Sequence, residues 1–141
     1  MKAQEKVESF RGEHYFLSNF YPATVVYDGV CYENNEAAFQ AQKQPERAKE
    51  FASLPPNEAK RLGRRVKLRP DWESVKNDIM ADIIRAKFTQ NENLRKKLIE
   101  TNHAELIEGN HWEDTYWGVC RGNGRNELGQ ILMKVRSELH S

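Results

Sequence analysis

The sequence predicts an α+β fold, in which a mostly helical single domain carries a small antiparallel sheet near its amino terminus. A hairpin signal lies early in the chain, where Asp28-Gly29 separates two runs rich in β-branched and aromatic residues. Strong helical periodicity follows from Asp71 onward. The length of 141 residues suits one domain and no linker-like stretch divides the chain, so we expect residues 1–141 to form a single domain.

The first elements in chain order are predicted to be strands. Residues 10–22 mix aromatic residues with Gly, Ser, Asn and Pro, which predicts a strand and then an irregular loop. Residues 23–27 and 30–32 form the two strands of the hairpin, because Asp28-Gly29 supplies the positive φ angles of a type I′ turn.

Helices are predicted for most of the remaining chain. A helix begins at Glu36, and Pro45 either ends it or starts another. Pro55-Pro56 makes a second break, so two short helices fit between the hairpin and Asp71.

Asp71 is predicted to be the N-cap of a long helix, because it follows a proline and precedes an apolar stripe. A further helix carries Leu94, Leu98 and Ile99, and residues 104–108 predict a short strand. The apolar stripes of the long helix and the last helix are Trp72, Val75, Ile79, Ile83 and Phe88, and Leu128, Ile131, Leu132, Val135 and Leu139.

Composition limits the function classes. With 22 basic and 21 acidic residues the net charge is +1, so the chain lacks the basic excess of bulk nucleic-acid binding and any such contact is expected to be local. Cys31 and Cys120 form neither a CxxC pair nor a disulfide framework, and we expect two reduced, partly buried thiols. The four histidines lack ligand spacing, so we expect no metal and no other cofactor.

The amino-terminal residues show no apolar core of a signal peptide, and no apolar run approaches the length of a membrane span. The sequence therefore predicts a soluble, cytoplasmic protein that makes no membrane contact.

Residues 36–43 hold the most informative pattern, because Glu36, Gln40 and Lys43 stand at i, i+4 and i+7. In a helix the carboxylate, carboxamide and amine share one face. The gaps are filled by Ala, Phe and Gln, which suits a helix packed against other elements and favours an active-site wall. The alternative is an exposed stripe of weak helix-supporting pairs, which is the better explanation for an isolated octapeptide.

Two further segments suggest ligand contacts. In residues 10–22, aromatic residues around Ser18 and Asn19 suit stacking on a planar base, although core packing is the commoner use of aromatic residues. Residues 61–72 hold five closely spaced cations, and arginine matches phosphate oxygens in bidentate fashion. A solvated basic face explains those cations equally well.

Residues 111–129 combine carboxylates with aromatic residues. Glu113 and Asp114 stand among Trp112, Tyr116 and Trp117, and an apolar wall of this kind is the setting that acid–base catalysis needs.

A glycine-rich turn follows, in which Gly122-Asn123-Gly124 leads into the last helix. Asn126 is the expected cap of that helix, and the free N–H groups with a neighbouring arginine suggest an anion site. A plain glycine turn is the alternative, because the spacing matches no phosphate-binding fingerprint.

Seven motifs occur in the order typical of the NADAR family, also called YbiA-like, which the chain resembles over roughly residues 10–136. The motifs are Phe16-Leu17-Ser18-Asn19-Phe20, Glu36-x-x-Phe39-Gln40-Ala41-Gln42-Lys43, Gly63-Arg64, Leu68-Arg69-x-Asp71-Trp72, Ala86-Lys87-Phe88, Asp114-x-Tyr116-Trp117-Gly118 and Gly124-x-Asn126-x-Leu128-Gly129. Seven ordered motifs are far more specific than any one alone.

The resemblance is strongest to the N-glycosidases of riboflavin biosynthesis intermediates, which cleave ribose 5-phosphate from early pyrimidine intermediates. Other members of the family remove ADP-ribose from guanine bases in nucleic acid. The resemblance implies Glu36, Trp72 and Asp114 in catalysis and a Schiff base at Lys43. The substrate contacts expected with it are Arg11, Gly12, Phe16, Ser18, Asn19, Phe20, Phe39, Gln40, Arg64, Arg65, Tyr116, Trp117, Gly118 and Asn126.

The chemistry agrees with these roles. Both family substrates join sugar C1 to an exocyclic amine, and such glycosylamines open to an imine that a neutral Lys43 can attack. Glu36 and Asp114 then move protons to the leaving nitrogen and from water. Arg64, Arg65 and the 122–125 loop are assigned to the phosphate. In the competing mechanism the ring stays closed, with one carboxylate as acid and the other activating water.

The base contacts and the residues that depart from the family pattern concern specificity. Phe20 and Trp72 are assigned to stacking on the base, and simple core packing explains Trp72 equally well. Family members often carry His and an aromatic residue where this chain has Ala37-Ala38, which leaves more room beside the carboxylate. Asn34-Asn35 still suits a helix cap.

Three functions stay open at this point. The leading one is an N-glycosidase acting on a small phosphorylated N-riboside, which the near-neutral charge favours. The second is an ADP-ribosyl-guanine hydrolase acting on nucleic acid, which needs a local basic rim such as residues 61–69. The third is a non-catalytic NAD or ADP-ribose binding module.

Overall fold

A computed structural model describes residues 6–140 and shows two compact units. The central unit is Asn19–Asn91, and the terminal unit combines the residues up to Ser18 with those from Glu92 onward. The strands and α-helices are β1 (Lys6–Val7), β2 (Pro22–Tyr27), β3 (Val30–Asn34), α1 (Asn35–Ala41), α2 (Pro56–Gly63), α3 (Trp72–Gln90), α4 (Glu92–Glu100), β4 (Glu105–Leu106), β5 (Gly109–Asn110), β6 (Val119–Cys120) and α5 (Glu127–Leu139).

The predicted hairpin is confirmed. Strands β2 and β3 are antiparallel, and their turn residues Asp28 and Gly29 have φ angles of 51° and 78°, as a type I′ turn requires. The facing pair Val25 and Tyr32 is fully buried, so the hairpin turns this face toward the core of the central unit.

Side-chain amides from the end of α3 occupy the outer edge of β2. The N–H of Val26 donates to Gln90 Oε1 at 2.8 Å, and Gln90 Nε2 donates back to the Val26 carbonyl at 2.9 Å. Asn91 Nδ2 donates to the carbonyl of Thr24 at 2.9 Å. The edge of this two-stranded sheet is therefore hydrogen-bonded by residues of the same unit.

Helix α1 lies at the centre of this unit, and every residue from Asn35 to Ala41 is buried. Its N-cap is Asn34, whose side-chain oxygen accepts from the N–H of Ala37 at 2.8 Å, as predicted for this pair of asparagines. The helix packs against the hairpin, α2 and α3. The polar side chains that α1 carries are consequently held away from bulk water.

Two predicted short helices follow as a 3₁₀ helix over Pro45–Phe51 and as α2, and both are confirmed. The N-cap position predicted for Asp71 is confirmed, but its side chain makes no bond to the helix. Asp71 stands at the N-cap of α3, but its carboxylate binds the guanidinium of Arg69 at 2.6 and 3.1 Å. A charged bidentate partner two residues away binds a carboxylate more strongly than a backbone N–H does.

A buried lysine, Lys87, interrupts the apolar face of α3. It stands four residues after Ile83, so its helical position faces the core, and only 1% of its surface is exposed. Its Nζ lies 5.6 Å from the ring centre of Tyr21 and 5.1 Å from that of Phe88. Burial lowers the pKa of the Lys87 amine to about 7.

The terminal unit contains α4, α5 and two short parallel strand pairs, β1 with β4 and β5 with β6. The strand predicted within residues 104–108 is confirmed as β4. Residues 10–22 contain a 3₁₀ helix over Gly12–Leu17 instead of the strand predicted there. The turn closes with short-range bonds, such as His14 N–H to the Arg11 carbonyl at 2.9 Å.

The cap predicted for Asn126 is confirmed in its position but not in its side-chain bond. Asn126 precedes α5 with a φ of 54°, and its side chain makes no bond to the helix. It accepts from the N–H of Glu108 at 3.0 Å and donates to the carbonyl of Leu106 at 2.9 Å. Tertiary contact with the end of β4 has replaced the local cap.

Within residues 6–140, no helix has both the length and the apolar character that crossing a membrane requires. The same residues form no cluster of three or more His, Cys, Asp or Glu placed to hold a metal ion. Cys31 is exposed, Cys120 is buried, and both are free thiols.

Candidate active site

Glu36 is a buried carboxylate on α1, with 8% of its surface exposed. One helical turn later, Gln40 donates from Nε2 to Glu36 Oε2 at 2.7 Å, as the i, i+4 spacing allows. The N–H of Glu36 donates to the carbonyl of Asn19 at 3.0 Å. The Glu36 carboxylate is therefore bonded within its own helix, and the Glu36 backbone is bonded to the segment before the hairpin.

Lys43 lies just beyond α1, which ends at Ala41, so the helix predicted to reach Lys43 is two residues too long. The chain continues as a tight turn, in which the N–H of Lys43 donates to the carbonyl of Gln40 at 3.1 Å. Lys43 is half-buried, and its carbonyl accepts from the N–H of Arg69 at 2.9 Å.

The environment of Lys43 favours a neutral amine. Burial is the largest influence and lowers the pKa of Lys43, while the charge of Glu36 raises it. The cations Arg64, Lys60 and Lys76 lower it further, and the net change is a lowered pKa. A neutral lysine amine is a nucleophile, so this geometry suits covalent chemistry at a carbonyl or imine carbon.

Trp72 and Phe39 form a pair of packed aromatic rings next to the Lys43 amine. Their ring centres are 5.1 Å apart with the planes inclined at 52°, and Lys43 Nζ lies 5.8 Å from the Trp72 ring. Trp72 is 6% exposed, so it packs as a core residue and also faces the lysine amine.

Asn19 and Phe20, predicted to contact the base, lie on the segment that bonds to the start of α1. Asn19 is buried, and its Oδ1 accepts from Asn35 Nδ2 at 3.5 Å. Phe20 is half-buried, and Lys60 Nζ lies 5.9 Å from its ring centre.

Arg64 and Arg65 are both exposed at the end of α2. The charge of Arg64 lowers the pKa of the Lys43 amine. Lys60 and Lys76 have the same effect, and neither was predicted as a site residue. Helical spacing offered a signal for both lysines, because Lys60 stands four residues before Arg64 and Lys76 four residues after Trp72.

The central unit thus brings together one part of the predicted site. Its members are Asn19, Phe20, Glu36, Phe39, Gln40, Lys43, Arg64, Arg65 and Trp72. The predicted residues in the terminal unit are Arg11, Gly12, Phe16, Ser18, Asp114, Tyr116, Trp117, Gly118 and Asn126.

Within the terminal unit, Asp114 organises its own loop. Its Oδ1 accepts from the N–H groups of Tyr116 and Trp117 at 3.1 and 2.9 Å. The Asn110 side chain bonds to the backbone of the same residue: its Oδ1 accepts from the N–H of Asp114 at 3.1 Å, and its Nδ2 donates to the Asp114 carbonyl at 2.9 Å. The loop is therefore held in one conformation by the side chain that the motif predicts to be catalytic.

The apolar wall predicted around Glu113 is wrong. Glu113 is exposed and forms an ion pair with Arg121, and Trp112 is 49% exposed. The backbone of Glu113 takes a φ of 69°, in the left-handed region, and its carboxylate faces solvent and Arg121.

The backbone N–H groups at the start of α5 are not available for the anion site predicted after Gly122, because they already have hydrogen-bond partners. The N–H groups of residues 125–128 donate to the carbonyls of Thr115, Gly118, Tyr116 and Trp117 at 2.8 to 3.2 Å. Arg121 and Arg125 pair with Glu113 and Glu127. The structure matches the alternative, a glycine turn that joins two loops.

The remaining predicted contacts differ in exposure. Arg11 and Gly12 are exposed, and Ser18, Tyr116 and Trp117 are half-buried. Phe16 is 4% exposed, which leaves little surface for stacking on a base. Gly118 is buried, and a Cβ added there would lie 2.2 Å from the carbonyl oxygen of Glu108.

Fold and site together define a class of protein with helices and small sheets. In this class a buried carboxylate, Glu36, lies in the first turn of a short helix, and a lysine of lowered pKa, Lys43, follows the end of that helix. A family model for the NADAR domain matches residues 7–140. The chain belongs to the NADAR family.

Several relatives are similar over most of this chain. The Escherichia coli protein called N-glycosidase YbiA is 42% identical over 132 residues, which cover 87% of this chain and 80% of that protein. An N-glycosidase of Nostoc punctiforme is 36% identical over 136 residues, covering 89% of this chain and 85% of its own length.

A riboflavin biosynthesis protein of Vibrio vulnificus is 40% identical over 132 residues, or 89% of this chain. The match spans only 36% of the length of that longer protein. The NMR structure of E. coli YbiA superposes with a TM-score of 0.85 and 37% identity, covering 99% of this chain and 87% of that one. The α+β fold predicted from the sequence is confirmed.

Proposed function

We propose that this chain is an N-glycosidase that hydrolyses the bond between ribose C1 and the exocyclic amine of a phosphoribosylamino-pyrimidine intermediate of riboflavin biosynthesis. The observation that carries the proposal is the lysine amine of lowered pKa beside a buried carboxylate, Lys43 with Glu36. The names of the relatives, N-glycosidase and riboflavin biosynthesis protein, support the reaction and its context.

The proposed reaction begins when the glycosylamine ring opens to an imine at C1. The neutral amine of Lys43 attacks C1, and the bond from C1 to the pyrimidine nitrogen breaks. The nitrogen leaves as a primary amine after gaining, in two transfers, the two protons that the Lys43 amine gives up, and C1 stays bound to Lys43 as an imine. One water then adds to C1 and releases ribose 5-phosphate, so each turnover consumes one water and frees one amino-pyrimidine.

Glu36 is the proposed acid–base partner of this lysine. It takes the proton that the attacking amine loses and gives one to the leaving nitrogen. Its hydrogen bond from Gln40 and its burial suit such a role, because both restrict the orientation of the carboxylate. Asp114 stays the predicted second acid–base group on the strength of its motif, and Asp114→Asn is the variant that tests it.

The substrate phosphate is assigned to the cations that act on Lys43, with Arg64 as the principal contact. We expect Arg64→Ala to raise KM for the phosphorylated substrate by roughly tenfold or more, since a charge-assisted bond is worth about 1.5–3 kcal/mol. The rise of activity with pH should also move to higher pH, because losing a nearby cation raises the pKa of the Lys43 amine.

Arg65→Ala is the comparison variant, since Arg65 is the second predicted phosphate contact and is also exposed, but its charge is not among those that lower the pKa of Lys43. Equal changes in KM and in the pH profile for the two variants would contradict a specific role for Arg64.

A comparison of two substrates tests the function. The purified chain is incubated with the riboflavin intermediate and with ADP-ribosylated guanosine, and free base is measured by chromatography. We expect release from the riboflavin intermediate at least tenfold faster in kcat/KM. Preference for the guanosine would establish the second candidate, an ADP-ribosyl-guanine hydrolase, which the exposed cations Arg61, Arg64, Arg65 and Lys67 favour. No turnover of either would leave a binding module.

A further inference from the structure

Gly63 marks a very close approach between α2 and α1. It is the last residue of α2 and is buried. A Cβ added at Gly63 would lie 2.0 Å from Oε1 and 2.8 Å from Cδ of Gln40. Any side chain at this position must therefore displace the carboxamide of Gln40.

The displaced carboxamide is the one that binds Glu36. Gln40 is 6% exposed, and its Nε2 donates to Glu36 Oε2 at 2.7 Å. Its Oε1 is buried and has no hydrogen-bond partner among residues 6–140. That oxygen lies beside Gly63, in space that is free only because the residue has no Cβ.

This packing fixes which end of the carboxamide faces the carboxylate. Turning the group over would set Oε1 against Glu36 Oε2, two acceptors in one buried space, which costs the bond and adds repulsion. In the observed orientation, Oε1 occupies the space that a side chain at Gly63 would otherwise fill. The donor end of Gln40 is thus directed at Glu36 by the backbone of α2.

We propose that Gln40 and Gly63 are positioning residues for the reaction. Gln40 holds the Glu36 carboxylate in one orientation and favours its ionised form, and Gly63 provides the space in which Gln40 can do so. This inference rests on the proposed function, in which Glu36 is the acid–base group. Arg64 directly follows Gly63, and its charge acts on Lys43.

Two variants remove the hydrogen bond by different routes. Gly63→Ala displaces the flexible end of Gln40, and Gln40→Met keeps the volume but removes the donor. We expect kcat to fall about tenfold to a hundredfold in each, because a misplaced catalytic group costs about that much, while KM changes less than about threefold. The limb of the kcat–pH profile that reports Glu36 should move to higher pH, because the carboxyl loses a bond that favours its charged form.

A readout without substrate makes the test independent of activity. The carboxyl carbon of Glu36 is titrated by ¹³C NMR in the unmodified chain and in both variants. We expect the titration midpoint to move to higher pH in each, because the bond from Gln40 favours the charged form. The control is Asn57→Ala, a substitution at an exposed position of α2, which should leave the titration and kcat unchanged.

Thermal unfolding tests the packing step. Alanine favours helix over glycine, so Gly63→Ala would raise Tm if the site had room. We expect it instead to lower Tm, and to do so much less in the Gln40→Ala background, where the carboxamide is gone. An additive effect on Tm would overturn the packing step.

The outcomes separate the two proposals. An unchanged Glu36 titration in Gly63→Ala or in Gln40→Met overturns the positioning roles even if the chain is an active N-glycosidase. An unmodified chain that turns over no N-riboside overturns the proposed function, and the NMR titration still decides whether Gln40 and Gly63 position the carboxylate.

Discussion

Lys43→Met is expected to reduce kcat by roughly a thousandfold or more, because the variant lacks the amine that would form the covalent intermediate. Methionine keeps the unbranched chain beside Trp72, so the loss reports chemistry rather than packing. Lys67→Met removes an exposed lysine of the nearby basic segment and should keep at least half of the activity. The measurement is release of free base in single-turnover and steady-state assays.

Trapping the intermediate makes this expectation specific to an imine. Borohydride added during turnover should reduce the bond between C1 and Nζ, leaving one sugar phosphate per chain on Lys43 by peptide mass mapping. Substantial activity in Lys43→Met, with no adduct in the unmodified chain, would favour the closed-ring mechanism, in which carboxylates alone assist departure and water attack.

Lys87→Met is expected to stabilise the folded chain at neutral pH and to remove much of the pH dependence of stability between about pH 7 and pH 10. In the folded chain the pKa of Lys87 is about 7, against 10.5 for an ordinary lysine. Over that window the unfolded chain binds a proton at Lys87 that the folded chain does not. Raising the pH therefore stabilises the folded state, by at most about 1.4 kcal/mol per pH unit from this group.

The window has clear limits. Below about pH 7 both states bind the proton, so this contribution no longer changes with pH, and the folded chain then carries a buried ammonium at its full cost. Urea unfolding of the unmodified chain and of Lys87→Met from pH 6 to pH 10 measures the difference, with Lys67→Met as the exposed control. Parallel pH curves for all three proteins would show that Lys87 does not titrate in this way.

Sequence patterns predicted those elements whose cause is local. Asp28-Gly29 suits a type I′ turn by its own backbone preferences, and the turn forms there. The two caps are correct in position but lack the expected side-chain bond: Asp71 binds Arg69 two residues away, and Asn126 binds the backbone of Glu108 and Leu106. The pattern names a residue able to cap, and only the fold shows which acceptor or donor competes for it.

The candidate site divides in the same way. Spacing within one helix was enough to put Glu36 and Gln40 in contact, and the structure has that bond at 2.7 Å. Helical spacing relates Lys60 to Arg64 and Lys76 to Trp72, but the influence of both lysines on Lys43 depends on how α2 and α3 pack around α1. Gly63 belongs with these, because its motif gave no hint that the missing side chain makes room for Gln40.

The amides of Gln90 and Asn91 have a consequence for how this protein behaves among its own copies. A two-stranded sheet ordinarily exposes backbone groups that recruit strands from neighbouring molecules, the first step toward aggregation. Here the outward N–H and carbonyl of Val26 and the carbonyl of Thr24 already have partners on α3 and just after it. Two carboxamide side chains act as a surrogate third strand, which keeps the β2 edge from serving as a template for self-association.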